Sequence, residues 1–261
     1  MRILLTNDDG IDSPVLPVMK AALDEVAETF IFAPDHNWSA SGHPKTMHKM
    51  LRADPVEWPD GSLAYRSTGA PPDCVSLALL GVWEERPDLI VSGINLGANL
   101  GYDIFYSGTV AAAVEAVINE VPAIAFSRVY PFASEDFSQQ ARFAAKLAAQ
   151  VLEHGLPADT LLNVNFPPTD WTSIQGLHIT RLGRRVYQDE LIRRQDPRGR
   201  DYFWIGGHPP SGIPDHGTDI WAIENNLISI TPLSLDITAH SMLEELKRWH
   251  LEDIWEATKA T

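Results

Sequence analysis

The chain has 261 residues, with 20 Lys or Arg against 35 Asp or Glu, a formal charge of −15, and 44% hydrophobic and 21% charged residues. That balance excludes a disordered chain, a fibre and a coiled coil. The acidic surplus argues against stable binding along nucleic acid, whose phosphates need many exposed cations. One cysteine, Cys74, excludes an intrachain disulfide and a cysteine zinc site.

Residues 3–5, Ile-Leu-Leu, predict a short buried strand; that run is too short for a signal peptide or a membrane span, so the expectation is a cytoplasmic protein with no membrane partner. Ser13 and Pro14 read as N-cap and first turn of a helix carrying Val15, Met19, Ala22, Leu23 and Val26 at helical spacing. Residues 30–33 predict a second strand stopped by Pro34, and residues 88–94 a third. An Ala/Val-rich helix over 110–118 and a strand over 123–126 follow. The clearest amphipathic helix covers 137–152 and ends before Gly155 and Pro157. Strands are expected at 161–166, 177–180 and 228–230. Between them, about 181–219, a Gly/Pro/Arg-rich stretch reads as an excursion from the sheet. Met242, Leu246, Trp249 and Ile254 share one side of a terminal helix over 239–257, with Ser241 and Glu244 as a capping box.

This alternation predicts an α/β fold: a mostly parallel sheet with helices on both faces. A single domain is expected over 1–261, with its core in 1–130 and 137–180 and an extended arm over 181–219.

Ligands of open α/β sheets bind beyond the carboxyl ends of the strands, where three polar clusters fall. Asn7-Asp8-Asp9-Gly10 follows the first strand. Adjacent carboxylates in a tight turn repel each other unless solvated or bridged by a cation. A loop from Pro34 to Gly42, with Asp35, Asn37, Ser39 and Ser41, follows the second. Ser92-Gly93-Ile94-Asn95 through Gly97, Asn99, Gly101 and Asp103 follows the third and runs into Tyr106-Ser107-Gly108-Thr109 at a helix start. A helix start presents free N–H groups and partial positive charge, which suits an anion. The pooled donors are all oxygens, which favour Mg²⁺ or Mn²⁺ over zinc. His36, His43 and His48 lack helical metal spacing and read as loop residues.

With these motifs in hand, the chain resembles the SurE family, the stationary-phase survival proteins, which are metal-dependent 5′/3′-nucleotidases. Asn7-Asp8-Asp9-Gly10-Ile11, Ala33-Pro34-Asp35 with Asn37 and Ser39, the Ser92 to Gly101 loop, and Tyr106-Ser107-Gly108-Thr109-Val110 carry the resemblance. Gly69-Ala70-Pro71-Pro72-Asp73-Cys74-Val75, Leu162-Asn163-Val164-Asn165, Thr218-Asp219 and residues 228–233 extend it over nearly the whole chain. Val15, Ala40 and Ala112 stand where the family commonly has Gly; none removes a proposed ligand.

The resemblance implies a Rossmann-like core whose C-terminal hairpin and helix exchange between subunits of a homodimer or homotetramer. It implies one divalent cation per subunit held by Asp8, Asp9, Ser39 and Asn95, with Asp8 and Asp9 catalytic, and phosphate contacts from Asn99, Ser107, Gly108 and Thr109. The activity it implies is hydrolysis of nucleoside 5′- and 3′-monophosphates with broad base tolerance; some members also act on short polyphosphate. The alternative reading is a nucleotide-binding regulator without turnover. A dinucleotide-dependent oxidoreductase fits poorly, since no Gly-x-Gly-x-x-Gly follows the first strand. An aspartyl-phosphate route of the dehalogenase type needs Asp-x-Asp there, whereas Asp8 and Asp9 are adjacent. Seven arginines against three carboxylates over 181–200 read as a solvated or subunit-pairing arm, with phosphate steering as the other option. Cys74 is expected as a buried loop residue.

Overall fold

The computed structural model describes residues 1–39 and 42–259. Its nine-stranded sheet follows the order β3-β4-β2-β1-β5-β6-β7-β11-β8, where β1 is Arg2–Thr6, β2 Glu28–Pro34, β3 Ala53–Glu57, β4 Leu63–Ser67, β5 Leu89–Asn95, β6 Ala123–Arg128, β7 Thr160–Phe166, β8 Gly176–Ile179 and β11 Leu227–Ser234. The run from β4 to β7 is parallel; β3 and β11 are antiparallel to their neighbours β4 and β7.

Strand periodicity builds two faces. Ile3 and Leu5 of β1 point to one side, where α1 (Val15–Leu23) and α4 (Ser138–His154) pack. Leu4 points to the other, where α2 (Pro71–Leu77) and α3 (Gly108–Ile118) pack. The predicted fold class therefore stands: a mostly parallel sheet covered on both faces. All three central residues of β1 are fully buried, which is why they read as a continuous apolar run.

Several local expectations are corrected. Ser13 does not cap α1: Pro14 holds that position without a side-chain bond, and the buried Ser13 hydroxyl has no hydrogen-bond partner among the described residues. Helix α1 ends at Leu23, leaving Val26 outside, and Pro34 belongs to β2 rather than stopping it. Cys74 lies buried in α2, not in a loop, and burial pushes its thiol well up. The terminal helix is two helices, α6 (His240–Lys247) and α7 (Leu251–Lys259), broken before His250, which takes φ +50. Ala239 occupies the N-cap of α6 with no side-chain bond, so Ser241 and Glu244 form no capping box. Ala40 and Ser41 fall outside the described residues.

The 181–219 excursion is a two-stranded antiparallel hairpin of β9 (Arg184–Gln195) and β10 (Asp201–Ile213), separate from the main sheet. At its root, α5 (Asp219–Glu224) buries Ile220 and Ile223 with Leu100. Asp219 accepts N–H bonds from Gly101 and Gly183, each at 2.7 Å, so one buried carboxylate ties the hairpin to the loop after β5. Among the described residues no helix is long and apolar enough to cross a membrane.

Candidate active site

Strand order reverses at β1: β2 lies on one side and β5, reached later in the chain, on the other. Such a reversal opens a crevice at the strands' carboxyl ends, and the three polar clusters meet there. The Asn7 side chain closes the turn after β1, donating to the Gly10 carbonyl at 3.0 Å and accepting the Gly10 N–H at 3.1 Å. Gly10 takes φ +98, a conformation that side chains disfavour. Asp8 is thereby buried at the crevice floor, with 3% exposure.

The loop after β2 lies against this turn. Trp38 N–H donates to the Asp8 carbonyl at 2.8 Å, and the Asn37 side chain donates to Asp9 Oδ1 at 3.2 Å and accepts the Ser39 N–H at 2.7 Å. In β5 one extra residue between Ser92 and Asn95 breaks the register with β6, a bulge that redirects the strand end. Asn95 then donates to the Gly97 carbonyl at 3.0 Å, and Leu96 N–H reaches Asp9 Oδ2 at 3.4 Å.

Helix α3 begins directly above Asp8. Ser107 caps it by accepting the Val110 N–H at 3.1 Å. Gly108 allows the close approach: a Cβ there would lie 2.9 Å from the Asp8 Cβ. The Thr109 hydroxyl donates to Asp8 Oδ1 at 2.7 Å, and its N–H also stabilises that carboxylate. Asn99 is buried and locked: its N–H donates to Asn165 Oδ1, its carbonyl accepts from Asn163 and Asn165, and its amide donates to Ser127 at 2.6 Å.

Asp8, Ser39, Asn95, Asn99 and Ser107 line one cavity of about 310 Å³, joined by Asp103 and Tyr106. Gly108 and Thr109 adjoin it through Asp8, and Asp9 through Asn37 and Leu96. Five of the eight residues expected at the metal and the phosphate thus line the cavity, while Asp9, Gly108 and Thr109 only adjoin it and Thr109 turns to Asp8. In the sequence Asp103 and Tyr106 are only parts of motifs; the signal for Asp103 is its bonding to β9, invisible in a linear chain. Arg185 Nε and the Tyr187 hydroxyl each donate to the Asp103 carboxylate at 2.7 Å.

The electrostatics fit a hard cation. Burial raises Asp8 above the usual carboxylate range. Burial, and then repulsion from Asp8, push Asp9 up to about 6. Their donors named above are neutral groups: a hydroxyl, an amide and N–H groups. A buried and a half-buried carboxylate raised in this way gain most from a cation between them.

The family model described as "Survival protein SurE" matches residues 3–189. The chain belongs to the SurE family. Its SurE relatives include a "5′-nucleotidase SurE" of Chloroflexus aggregans, 48% identical over 97% of this chain and all of the relative, and one of Herpetosiphon aurantiacus, 50% identical over 94% and 97%. The crystal structure of the SurE protein from Aquifex aeolicus superposes with a TM-score of 0.80 at 36% identity, covering 95% of this chain and 99% of that one. This SurE fold carries its polar loops where the crevice lies.

Proposed function

We propose that this protein is a phosphomonoester hydrolase that cleaves nucleoside 5′- and 3′-monophosphates to nucleoside and phosphate, with short polyphosphate as a further substrate class. One observation carries the reading: donors from three separate loops, Asp8, Ser39 and Asn95, line one cavity beside the start of α3. The names of the curated relatives support the nucleotidase chemistry.

Asp8, Asp9, Ser39 and Asn95 are the residues that would hold one divalent cation per subunit, Mg²⁺ or Mn²⁺, an all-oxygen set suited to a hard ion. When bound, such an ion polarises a phosphoryl oxygen and lowers the pKa of its water. The chain's own groups do the rest. Thr109 holds Asp8 in place, and Asp8 and Asp9 supply the negative charge that orients water for attack. Gly108 N–H, the Ser107 hydroxyl and the Asn99 amide stabilise charge on the phosphoryl oxygens. Water adds to phosphorus, the ester P–O bond breaks, and the proton lost by water ends on the departing nucleoside oxygen.

The working unit in this reading is a homodimer or homotetramer built through the hairpin and tail. Trp249, Ile254 and Trp255 of the tail and Trp204 and Ile205 of the hairpin stand uncovered in one chain. A single cysteine fits the reducing cytoplasm. Phosphate release from AMP and GMP with Mn²⁺ or Mg²⁺, abolished by chelator, tests the reading; release by Asp8→Asn at the wild-type rate overturns it.

A further inference from the structure

The loop that carries Ser39 is held from two sides. Towards β1 it is tied to the Asp8–Asp9 turn by Trp38 and Asn37. Beyond residues 40–41 it is tied to the helices instead. Gly42 N–H donates to the Tyr106 carbonyl at 2.9 Å, and Thr46 donates to Asp73 through its N–H at 2.9 Å and its hydroxyl at 2.7 Å. The remaining anchor is Glu115. His43 Nε2 lies 3.2 Å from its Oε2, and Lys45 Nζ lies 2.8 Å from its Oε1.

Glu115 has no place in the chemistry described so far, yet its position is unusual. It is a carboxylate with 1% exposure in a helix otherwise made of Gly, Thr, Ala, Val and Ile. Burying such a charge is unfavourable unless it is paired. Ser76 and Asn119 supply neutral donors at 2.6 and 3.2 Å, but the Lys45 ammonium and the His43 imidazole both come from the Ser39 loop. Burial pushes the carboxyl up, while hydrogen bonds from His43, Lys45 and Ser76 outweigh it and hold it at about 2. It is charged throughout the neutral range. Glu115 also lies seven positions after Gly108, about two helical turns. The side of α3 that meets Asp8 at its start therefore holds this loop further along.

We infer that Glu115 is a positioning residue of the cation site: by clamping His43 and Lys45 it sets the loop that presents Ser39 to the crevice shared with Asp8 and Asn95. The inference rests on the functional reading above. Glu115 touches neither ion nor substrate; it acts through the loop. The anchors at Gly42 and Thr46 remain when the clamp is lost, so the loop loosens rather than detaches. Removing a group that orients a metal ligand typically costs 10–100-fold in affinity.

The test is calorimetric titration of Mn²⁺ into the full-length wild type, Glu115→Gln and Lys45→Met, each also made in a Ser39→Ala background, with thermal melts alongside. Glu115→Gln keeps the side-chain shape and removes the charge. The expected result is Mn²⁺ affinity weakened about tenfold in Glu115→Gln and in the same direction in Lys45→Met. In the Ser39→Ala background neither substitution should add a further loss, because the ligand through which the clamp acts is gone. Unchanged Mn²⁺ affinity in both variants, or an equal loss with and without Ser39, overturns the inference. If Glu115→Gln does not fold, Lys45→Met, whose side chain is 49% exposed, decides the matter alone. A wild type that takes up no Mn²⁺ overturns the metal site itself, an outcome distinct from a wild type that binds and a clamp that does nothing.

Discussion

The central sheet and the arm-and-tail region treat apolar side chains in opposite ways. Ile3, Leu4 and Leu5 are each 0% exposed, whereas Ile205 at the hairpin is 81% exposed and neither α6 nor α7 buries any residue. The sheet satisfies its own hydrophobic surface; the arm and tail leave theirs open. At the root of the arm the contrast reverses. Asp219, Arg185 and Tyr187 there bond to Gly101 and Asp103 beside the crevice. The part of the arm that meets the site is thus polar, with Asp219 buried and Tyr187 still exposed, whereas the outward part leaves Leu191, Trp204 and Ile205 bare. Large uncovered apolar patches mark surfaces for association.

The sharpest break of this comparison is at the crevice floor. Asp8→Asn is expected to lower kcat/KM at least about 10³-fold, about 4 kcal/mol, measured as phosphate release from AMP. Its melting temperature should hold or rise, since a buried, repelled carboxylate is gone. Next comes the core. Phe126, fully buried and stacked 6.2 Å from Phe166, should lose about 3–5 kcal/mol on change to Ala, read by urea unfolding.

A smaller effect concerns Glu115. Its folded-state pKa lies near 2, below the ordinary value of 4.5. It therefore adds stability above pH 4.5, and that share fades as pH falls towards 2. Wild type should lose on the order of 2 kcal/mol more than Glu115→Gln over that window, measured by denaturation at a series of pH values. Smallest in stability is Trp204→Glu on the hairpin, within about 0.5 kcal/mol for the isolated chain. Light scattering should nevertheless show a smaller particle. An unchanged mass would remove the hairpin from the assembly.

What could be read from the chain follows burial. The strands β1, β2, β5, β6 and β7 were legible because strands buried on both faces appear as apolar runs. β3 and β4 were not: Ala53–Glu57 is mostly exposed and contains Pro55, as edge strands tolerate. The hairpin showed itself only as a polar excursion, since its strands have no second layer to impose alternation. The break before His250 carries no Gly or Pro signal, and the positive φ falls on a His, which adopts it more readily than most side chains do but does not mark a helix end by itself. In the crevice, the clusters that hold Asp8, Asp9, Ser39, Asn95 and Asn99 stand out because they lie at or beyond strand ends, and the roles of these residues come from the SurE resemblance. Glu115 is, to a linear reading, one acidic residue in an apolar helix.

Taken alone, the sequence determined the strand–helix alternation, the oxygen character of the donors and their placement at the ends of buried strands, because those properties are local and periodic. Only the tertiary structure decided which groups meet. Thr109 bonds Asp8 across 101 positions, Gly101 bonds Asp219 across 118, and Lys45 bonds Glu115 across 70. Such pairings follow from how helices and loops pack on the sheet, and no local period records them.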